Sequence, residues 1–253
     1  ISFCDDFTHN AHDCNTIPVD YRTGYRIGEQ FVYQVVHFVK YQAEDDQLNI
    51  EVDQPWGKLI PGDIVYKDQN GDGKITDQED RIAMGNPRNP ELQFGVPIGI
   101  SFKGFDFSLL FQCATLSSVV LTDAASWDFP TYGQDIIGRV KPLHLNRWTP
   151  ETASTATYPV LHYGPYPNNK NSNSSLFLAD ASYIRLKNME IGYSIPIRVL
   201  KKIGLSKSRF YVQGLNLVTW DKLKKYDVDP ETNSGGDWYP IQRVVSFGVD
   251  VTF

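Results

Sequence analysis

Apolar and polar residues alternate along several segments of the chain, which is the period-two pattern of β-strands. The last eleven residues, RVVSFGVDVTF, are the clearest case. One face of this segment carries Val245, Phe247, Val249, Val251 and Phe253. The other face carries Ser246, Gly248, Asp250 and Thr252. The pattern predicts a strand with one apolar face and one polar face.

Four earlier segments show the same alternation, at residues 94–102, 105–113, 182–193 and 209–219. Each is about 10 residues long, which is the length of a tilted strand that crosses a bilayer. Only Lys103 and Gly104 separate the first two segments, which predicts a two-residue hairpin with Gly104 at positive φ.

The connections between these segments alternate in length. Residues 103–104 and 194–208 form short connections, and the second of these predicts one turn of helix that ends at Gly204. Residues 114–181 and 220–242 form long polar connections. Long loops on one side of the membrane and short turns on the other are typical of outer-membrane barrels. If the final strand ends in the periplasm, both long loops and the segment before Phe94 lie outside the cell.

These patterns predict an all-β fold. Residues 93–253 are expected to form about five C-terminal strands of a transmembrane antiparallel barrel, and residues 1–92 a largely extracellular loop region. A soluble β-sandwich predicts the same alternation, because its strands turn the apolar face toward a second sheet. The terminal Phe253 favours the barrel, since outer-membrane barrels commonly end on an aromatic residue that their assembly machinery recognises.

Composition narrows the partners and the compartment. The formal net charge of −6 argues against binding to nucleic acid. No run of about 18 apolar residues predicts a transmembrane helix, but strands with alternating faces keep a low mean hydropathy. Cys4 and Cys14 are close enough in sequence to pair in an oxidising compartment, and three unrelated thiols are the alternative, with Cys113 in an apolar strand.

The stretch DQNGDGKITDQE, residues 68–79, matches the twelve-residue calcium loop D-x-[DN]-x-[DN]-G-x5-E. Calcium takes six to eight oxygen ligands, and short acidic or amide side chains at alternate positions converge on one point. The predicted ligands are Asp68, Asn70, Asp72, the backbone carbonyl of Lys74, Thr76 and Glu79. The bound ion would order a long external loop.

Two alternatives to this calcium site stay open. Asp80 follows directly and competes with Glu79 for the last ligand position. A turn rich in Asn-Gly and Asp-Gly, with side-chain caps and no ion, explains the same residues.

A second acidic cluster, Asp227, Asp229 and Glu231, predicts either a metal site or, more simply, a solvated corner that Pro230 forces.

Aromatic residues are concentrated in the long connections. Candidates for contact with a ligand or a partner are Trp127, Tyr132, Trp148, Tyr163, Tyr166 and Trp238. Aromatic rings suit sugar rings and peptide side chains, but equally a protein interface or the aromatic girdle of a barrel. The scattered histidines (His9, His12, His37, His144 and His162) form no catalytic pairing, so we expect no enzyme.

Several motifs occur in one order along residues 61–253: PGDIVYKDQNGDGKITDQEDR, MGNPRNPELQFGV, FKGFDFSLLFQ, LADASYIRLKNMEIGYSIP, KKIGLSKSRFYVQGLNLVTW and YPIQRVVSFGVDVTF. This order resembles the C-terminal part of the SusC/RagA-like, TonB-dependent outer-membrane transporters of Bacteroidetes. Residues 1–60 match this family less clearly.

The resemblance implies a barrel of about 22 strands with a plug that contacts TonB. It also implies a SusD-like surface lipoprotein as partner, and import of oligosaccharides or peptides through the outer membrane. This chain is then expected to be one segment of a larger assembly, because an open sheet in lipid leaves two unpaired edges. The rival hypotheses are a secreted, calcium-stabilised β-sandwich that binds glycans, and a surface module for protein–protein interaction.

Overall fold

The structure is a computed structural model that describes residues 24–40, 52–132, 135–136, 138, 140–232, 235–236, 239 and 241–253. For residues 131, 132, 135 and 136 it describes the backbone alone. Cys4, Cys14, His9, His12 and Trp238 lie outside the described residues. The predicted pairing of the first two cysteines therefore stays a prediction.

Short and long strands make up most of the regular structure. In chain order the strands are β1 Phe31–Tyr33, β2 Val35–Phe38, β3 Ile64–Tyr66, β4 Arg81–Ala83, β5 Leu92–Phe102, β6 Phe105–Thr115, β7 Ser118–Val120, β8 Thr131–Tyr132, β9 Asp135–Ile136, β10 Leu178–Asp180, β11 Tyr183–Ser194, β12 Lys207–Asp221 and β13 Val244–Thr252. The helices are α1 Asp123–Ser126 and α2 Ile197–Leu200, and 3₁₀ turns cover Pro142–Asn146, Ser175–Phe177, Lys201–Ile203 and Lys224–Tyr226. Among the described residues, no helix has the length and apolar character needed to span a bilayer.

The chain divides into two compact units. Unit 1 contains the described residues up to Met84 and residues 128–177, and unit 2 contains residues 85–127 and 178–253. This grouping concerns packing alone, whereas the predicted division at residue 92 concerns position relative to a membrane and stays a prediction.

A five-stranded antiparallel sheet dominates unit 2, with the strand order β13-β12-β11-β6-β5. All five strands predicted from the alternation are confirmed. Strands β5, β6 and β12 extend two residues beyond the predicted bounds at one or both ends, β11 is shifted by one residue, and β13 is one residue shorter at each end. The longest, β12, has 15 residues. A short pair of β7 with β10 completes the strand pairing of this unit.

The two short connections of the sheet have the predicted form. Lys103 and Gly104 both have positive φ, 49° and 89°, as a type I′ hairpin turn requires. Between β11 and β12, α2 continues into the 3₁₀ turn Lys201–Ile203, which ends at Gly204 with φ 74°. A left-handed glycine at this position is a common helix C-terminus.

One detail of the sheet corrects the sequence prediction. Uninterrupted alternation would put Met189 on the same face as Arg185 and Lys187. The register shifts between Leu186 and Asn188, so that Met189 lies opposite Leu109 on the apolar face. Relative to β6 the cause is a β-bulge at Lys187, because one extra residue reverses the facing of every residue beyond it. Strand β12 is irregular at the same place, between Leu215 and Val218.

Unit 1 is built from two-stranded pairs, β1 with β4 and β2 with β3, and from long loops. Its apolar core contains Tyr33, Ile64, Tyr66 and Ile75, and Trp56 packs edge-on against both tyrosines. A second small core joins Val39, Leu59 and Val65. The buried strand residues thus carry the core, and the loops are anchored around them.

Candidate functional site

The register of the five-stranded sheet places apolar residues of all strands on one common face. Phe102, Phe105, Tyr193, Phe210 and Val249 are joined as directly opposed pairs from one edge of the sheet to the other. Ile100, Phe107, Ile191, Val212 and Phe247 form the next such row. Apolar residues therefore run in continuous rows across the whole sheet.

This apolar face is exposed in the chain rather than covered. Phe247 is 81% exposed, Phe102 67% and Ile100 62%, and every residue of β5 is exposed. A soluble domain rarely leaves so large an apolar surface uncovered. The sandwich alternative expected a second sheet against this face, and the described residues contain no sheet packed there.

The opposite face of the sheet is polar and carries two ionic clusters. In the first, the guanidinium of Arg209 donates to Asp106 and to Glu190. A carboxylate oxygen of Asp250 lies 3.8 Å from the same guanidinium. The strands β6, β11, β12 and β13 each contribute one member, so the cluster ties four neighbouring strands together on this face.

The second cluster surrounds Arg185, which is fully buried. Its guanidinium donates to both carboxylate oxygens of Asp229, at 2.6 and 2.7 Å, and to Glu231 at 2.7 Å. Gln112 donates to Glu231 at 2.9 Å and Lys187 lies 3.5 Å from it. Two acidic residues of KYDVDPE, Asp229 and Glu231, thus pair with a buried arginine, which neither the metal prediction nor the solvated-corner prediction included.

A cavity of about 330 Å³ lies beside this second cluster within unit 2. Its lining includes Arg88, Gln93, Gln112, Tyr183 and Glu231. Amide, hydroxyl and charged groups therefore converge on one space at the end of the polar face. Such a set can form hydrogen bonds to a polar solute, and it includes Glu231 from the second acidic cluster of the sequence prediction. An arginine in mid-strand was the usable indication, because a buried guanidinium requires acidic partners.

The predicted calcium loop folds around the side chain of Asp68. Its carboxylate accepts the backbone N–H groups of Gly71 at 2.6 Å and Gly73 at 2.7 Å. The bond from Gly73 is the largest factor that lowers the pKa of Asp68 below its ordinary value. Asn70 accepts the N–H of Asp72, and Asp72 accepts the N–H of Lys74. The oxygen donors are of the hard type that calcium prefers.

The two acids that compete for the end of the loop are separated by burial. Asp80 is fully buried and accepts the N–H groups of Gln69 at 2.8 Å and Thr76 at 2.7 Å. Glu79 is half-buried, and its carboxylate accepts a hydrogen bond from the side-chain amide of Asn70 at 3.0 Å. Among the described residues, no group of three Asp, Glu, His or Cys side chains is arranged so that it could hold a metal ion. These hydrogen bonds are common to a calcium loop and to an ion-free turn.

The aromatic candidates are distributed over both units. In unit 1, Trp148 is 6% exposed and packs on Gly62, whereas Tyr163 is 75% exposed. Tyr166 donates to the buried Asp63 at 2.7 Å and stacks on His162 with 3.5 Å between ring centroids. These contacts make Trp148 and Tyr166 part of the loop packing, and leave Tyr163 accessible.

The remaining candidates give less information. Trp127, in unit 2, is half-buried, and its indole N–H has no partner among the described residues. Tyr132 lies on β8, for which the backbone alone is described. Trp238 lies outside the described residues. The contact with a ligand or a partner that the sequence predicts for these six aromatic residues therefore stays a prediction.

Unit 1 contains a buried polar network that the sequence did not indicate. Asp63, which is fully buried, accepts from His162 at 2.7 Å, from Asn169 at 2.9 Å and from the N–H of Ile60 at 2.7 Å. Lys170 donates to the carbonyl of Gly164 at 2.6 Å, and burial lowers its pKa. The network fixes the loop of residues 162–170 to the segment before β3.

Comparison with characterised proteins gives relatives of one kind. The chain is 28% identical over 207 residues to TonB-dependent receptor P26 of Formosa agariphila, covering 77% of this chain and 20% of that protein. It is 26% identical over 215 residues to TonB-dependent receptor SusC of Bacteroides thetaiotaomicron, covering 83% of this chain and 19% of that protein. The chain thus spans about a fifth of the length of these relatives. No protein-family model matches it.

Solved structures show the same fold. The RagAB peptide importer in its open-open state matches with a TM-score of 0.58 and 18% identity, over 91% of this chain and 23% of that one. A second structure, of the RagAB peptide transporter, also gives a TM-score of 0.58, at 18% identity over 89% of this chain and 23% of that one. The described residues therefore share their all-β fold with about a quarter of each of these longer chains.

Proposed function

We infer that this chain forms part of the barrel wall of an outer-membrane nutrient importer. The curated relatives confirm its resemblance to SusC/RagA-like TonB-dependent receptors. The observation that carries the proposal is the sheet itself. One face has continuous apolar rows, the other has paired charges, and the apolar face is exposed. Lipid covers the apolar face in this proposal, and the polar face lines the lumen.

The proposed barrel requires more strands than the chain contains. Within the described residues, β5 and β13 each pair on one side only, so the sheet has two open edges. Lipid offers no partner for the backbone groups of an open edge. We propose that strands from the rest of the protein pair with both edges and close a barrel of about 22 strands.

The partners and the transport step follow from the same proposal. A SusD-like surface lipoprotein covers the outer mouth, and a plug outside this chain contacts TonB. Force transmitted to the plug opens a path for an oligosaccharide or a peptide that has bound between lipoprotein and barrel. The polar cavity near Arg185 and the exposed Tyr163 supply groups of the kind that such a substrate contacts.

Fractionation and growth test this function directly. The full-length protein is expected in the outer-membrane fraction, with a gel mobility that changes on heating, and to co-purify with a lipoprotein. A host strain that lacks it should lose growth on one class of oligosaccharide or peptide as the sole source, while growth on free monosaccharides and amino acids continues. Unchanged growth on both polymer classes, with the protein in the soluble fraction, would contradict the proposal.

We also propose that the loop of residues 68–79 binds one calcium ion that orders it. Asp68, Asn70, Asp72, Thr76 and Glu79 would supply side-chain oxygens and Lys74 its carbonyl, matching the loop pattern. The ion would bring together ligands that are already ordered in part by the hydrogen bonds of Asp68 and Asp72. Its role is structural, since it lowers the cost of ordering an exposed loop.

Limited proteolysis measures this calcium effect. In the full-length protein, a chelator should speed cleavage within residues 60–85, and Asp72→Ala, which removes a ligand side chain altogether, should give the same fast cleavage with calcium present. Asp227→Asn is the matched control, because Asp227 is exposed, has positive φ that Asn tolerates, and lies in another loop. Cleavage that is independent of calcium in the wild type excludes the site.

A further inference from the structure

The connection between β11 and β12 has a charge opposite to that of the whole chain. Its sequence, IPIRVLKKIGLSKS, contains Arg198, Lys201, Lys202 and Lys207 and no acidic residue, in a chain of net charge −6. All four cationic residues are exposed. None of these four side chains forms an ion pair within the described part of the chain. Their charges are therefore available to an external partner.

Apolar side chains accompany these charges on the same connection. Ile197 is 48% exposed, Val199 54% and Ile203 65%. Leu200 is 2% exposed, so that it anchors the turn while its neighbours point away from the protein. Exposed apolar residues among cations, on a short helical turn, are the composition of a segment that lies in the headgroup region of a membrane.

Backbone hydrogen bonds join this connection to the other chain segments at the same end of the sheet. Ser194 N–H donates to the carbonyl of Gly104 at 2.7 Å, and Ser206 N–H donates to the carbonyl of Thr252 at 2.8 Å. The hairpin turn, the connection and the end of β13 therefore form one continuous rim, which we call the basic rim: residues 102–105, 195–207 and 252–253.

The basic rim is continuous with the apolar face of the sheet. The ammonium of Lys103 lies 5.0 Å from the centre of the Phe102 ring, and Phe102 belongs to the outermost apolar row. Phe253, at the end of β13, is 90% exposed. Lysines at a lipid–water boundary typically lay their aliphatic carbons along the apolar surface and keep the ammonium at the edge of that surface.

We propose that the basic rim binds the phosphate headgroups of anionic phospholipids in the bilayer leaflet at that end of the barrel. Ile197, Val199 and Ile203 enter the upper acyl region, and the cations contact phosphodiester groups above it. The inference rests on the proposed function, because it requires that lipid covers the apolar face. Anionic lipid is the occupant that the charge favours, since a zwitterionic surface offers no net attraction to five cations.

Native mass spectrometry of the full-length protein in detergent tests the proposal, with phosphatidylglycerol and phosphatidylcholine of equal chain length as probes. We expect tighter binding of phosphatidylglycerol, and a loss of its affinity of about fivefold for each rim charge removed. The double variant Lys201→Gln with Lys202→Gln should therefore lower the affinity for phosphatidylglycerol about 25-fold and leave the affinity for phosphatidylcholine unchanged. Lys103→Gln, on a different turn, gives an independent loss of about fivefold.

The matched control is Lys224→Gln with Lys225→Gln, an exposed lysine pair beyond the other end of β12. It should leave both affinities unchanged. Equal binding of the two lipids by the wild type, or an equal loss in the control, overturns the basic rim as a lipid site. Heat-modifiable mobility of each sample separates the two proposals: a wild type without it contradicts the barrel, whereas a folded barrel without lipid preference contradicts the basic rim alone.

Discussion

At the residue scale, Gly62 shows how strongly one position constrains the loops of unit 1. Its φ is +92°, and a Cβ there would lie 2.6 Å from Cε3 of Trp148. Its N–H donates to the carbonyl of Val39, and its carbonyl accepts from Val160, both at 2.9 Å. Gly62 thus links Val39 to Val160 beside the buried Trp148. Its positive φ and the nearby indole ring both disfavour any side chain at this position.

We predict that Gly62→Ala destabilises unit 1 by about 2–4 kcal/mol, since the left-handed backbone and the overpacking each cost about 1–2 kcal/mol. Gly57→Ala is the control: its φ is +110° but nothing lies within 4 Å of its Cβ, so only the backbone cost applies. Tryptophan fluorescence during urea unfolding measures the difference. Equal losses in the two variants would show that Trp148 does not pack there.

The buried arginine gives a second prediction at this scale. Replacing Asp229 and Glu231 by Asn and Gln keeps their shape but leaves the fully buried Arg185 without an opposite charge. Loss of both partners of a buried charge costs about 3 kcal/mol or more. We expect a lower melting temperature and faster cleavage of residues 223–232, while the single variant Lys222→Gln, at an exposed pair with Asp180, changes neither.

At the element scale, the bulge in β11 decides which residues meet lipid. Because Lys187 is the extra residue, its deletion should restore plain alternation and keep Leu186 and Met189 on the apolar face. Deletion of Met189 should instead put a polar residue on that face: Glu190 if the bulge stays, or Asn188 if the bulge is lost, since a one-residue slip reverses facing. A lysine or arginine on the lipid side of a barrel strand costs about 2–4 kcal/mol at the bilayer midplane, and a glutamate costs less.

Outer-membrane assembly, followed by heat-modifiable mobility, distinguishes the two deletions. The Lys187 deletion is expected to assemble at near wild-type yield, and the Met189 deletion is expected to fail. Assembly of both, or failure of the Lys187 deletion alone, would be inconsistent with a bulge at Lys187 and with the facing of β11 that follows from it.

The same element shows how far sequence patterns determine the structure. Alternation located all five long strands and the hairpin at Gly104, because a strand with two different faces has a period that local sequence records. Alternation missed the bulge, since Arg185 to Met189 is locally compatible with unbroken pairing. Alternation did place Leu110 on the polar face, between Ser108 and Gln112, where it lies opposite Pro97.

Long-range polar contacts could not be predicted from the sequence for a different reason. Arg185 and Glu231 are 46 positions apart, and Asp63 and His162 are 99 apart. Nothing local in either segment specifies its partner, and only the fold brings them together. The calcium loop is the converse case: all of its predicted ligands lie within twelve consecutive residues, so the spacing alone suggested the site.

At the scale of the whole molecule, the account depends on what covers the apolar face. Within the described residues, the sheet exposes a broad apolar surface on one face, carries paired charges on the other and has two open edges. These three features are costly in water and become compatible only if lipid meets one face, a lumen meets the other and further strands meet the edges. The basic rim then lies where the apolar face ends.

The most direct test compares two neighbouring residues of β13. Ser246 lies opposite Gln213 on the polar face, and Phe247 lies opposite Val212 on the apolar face. Each is replaced by Cys in a full-length protein whose native cysteines, including Cys113, are changed to Ala, and intact outer membranes are treated with a charged maleimide or with a lipid-soluble one.

The account predicts that the charged maleimide labels Ser246→Cys and not Phe247→Cys, and that the lipid-soluble reagent labels Phe247→Cys. Labelling of Phe247→Cys by the charged reagent, or protection of Phe247→Cys from both reagents, would place the apolar face against water or against protein, and would contradict the importer wall.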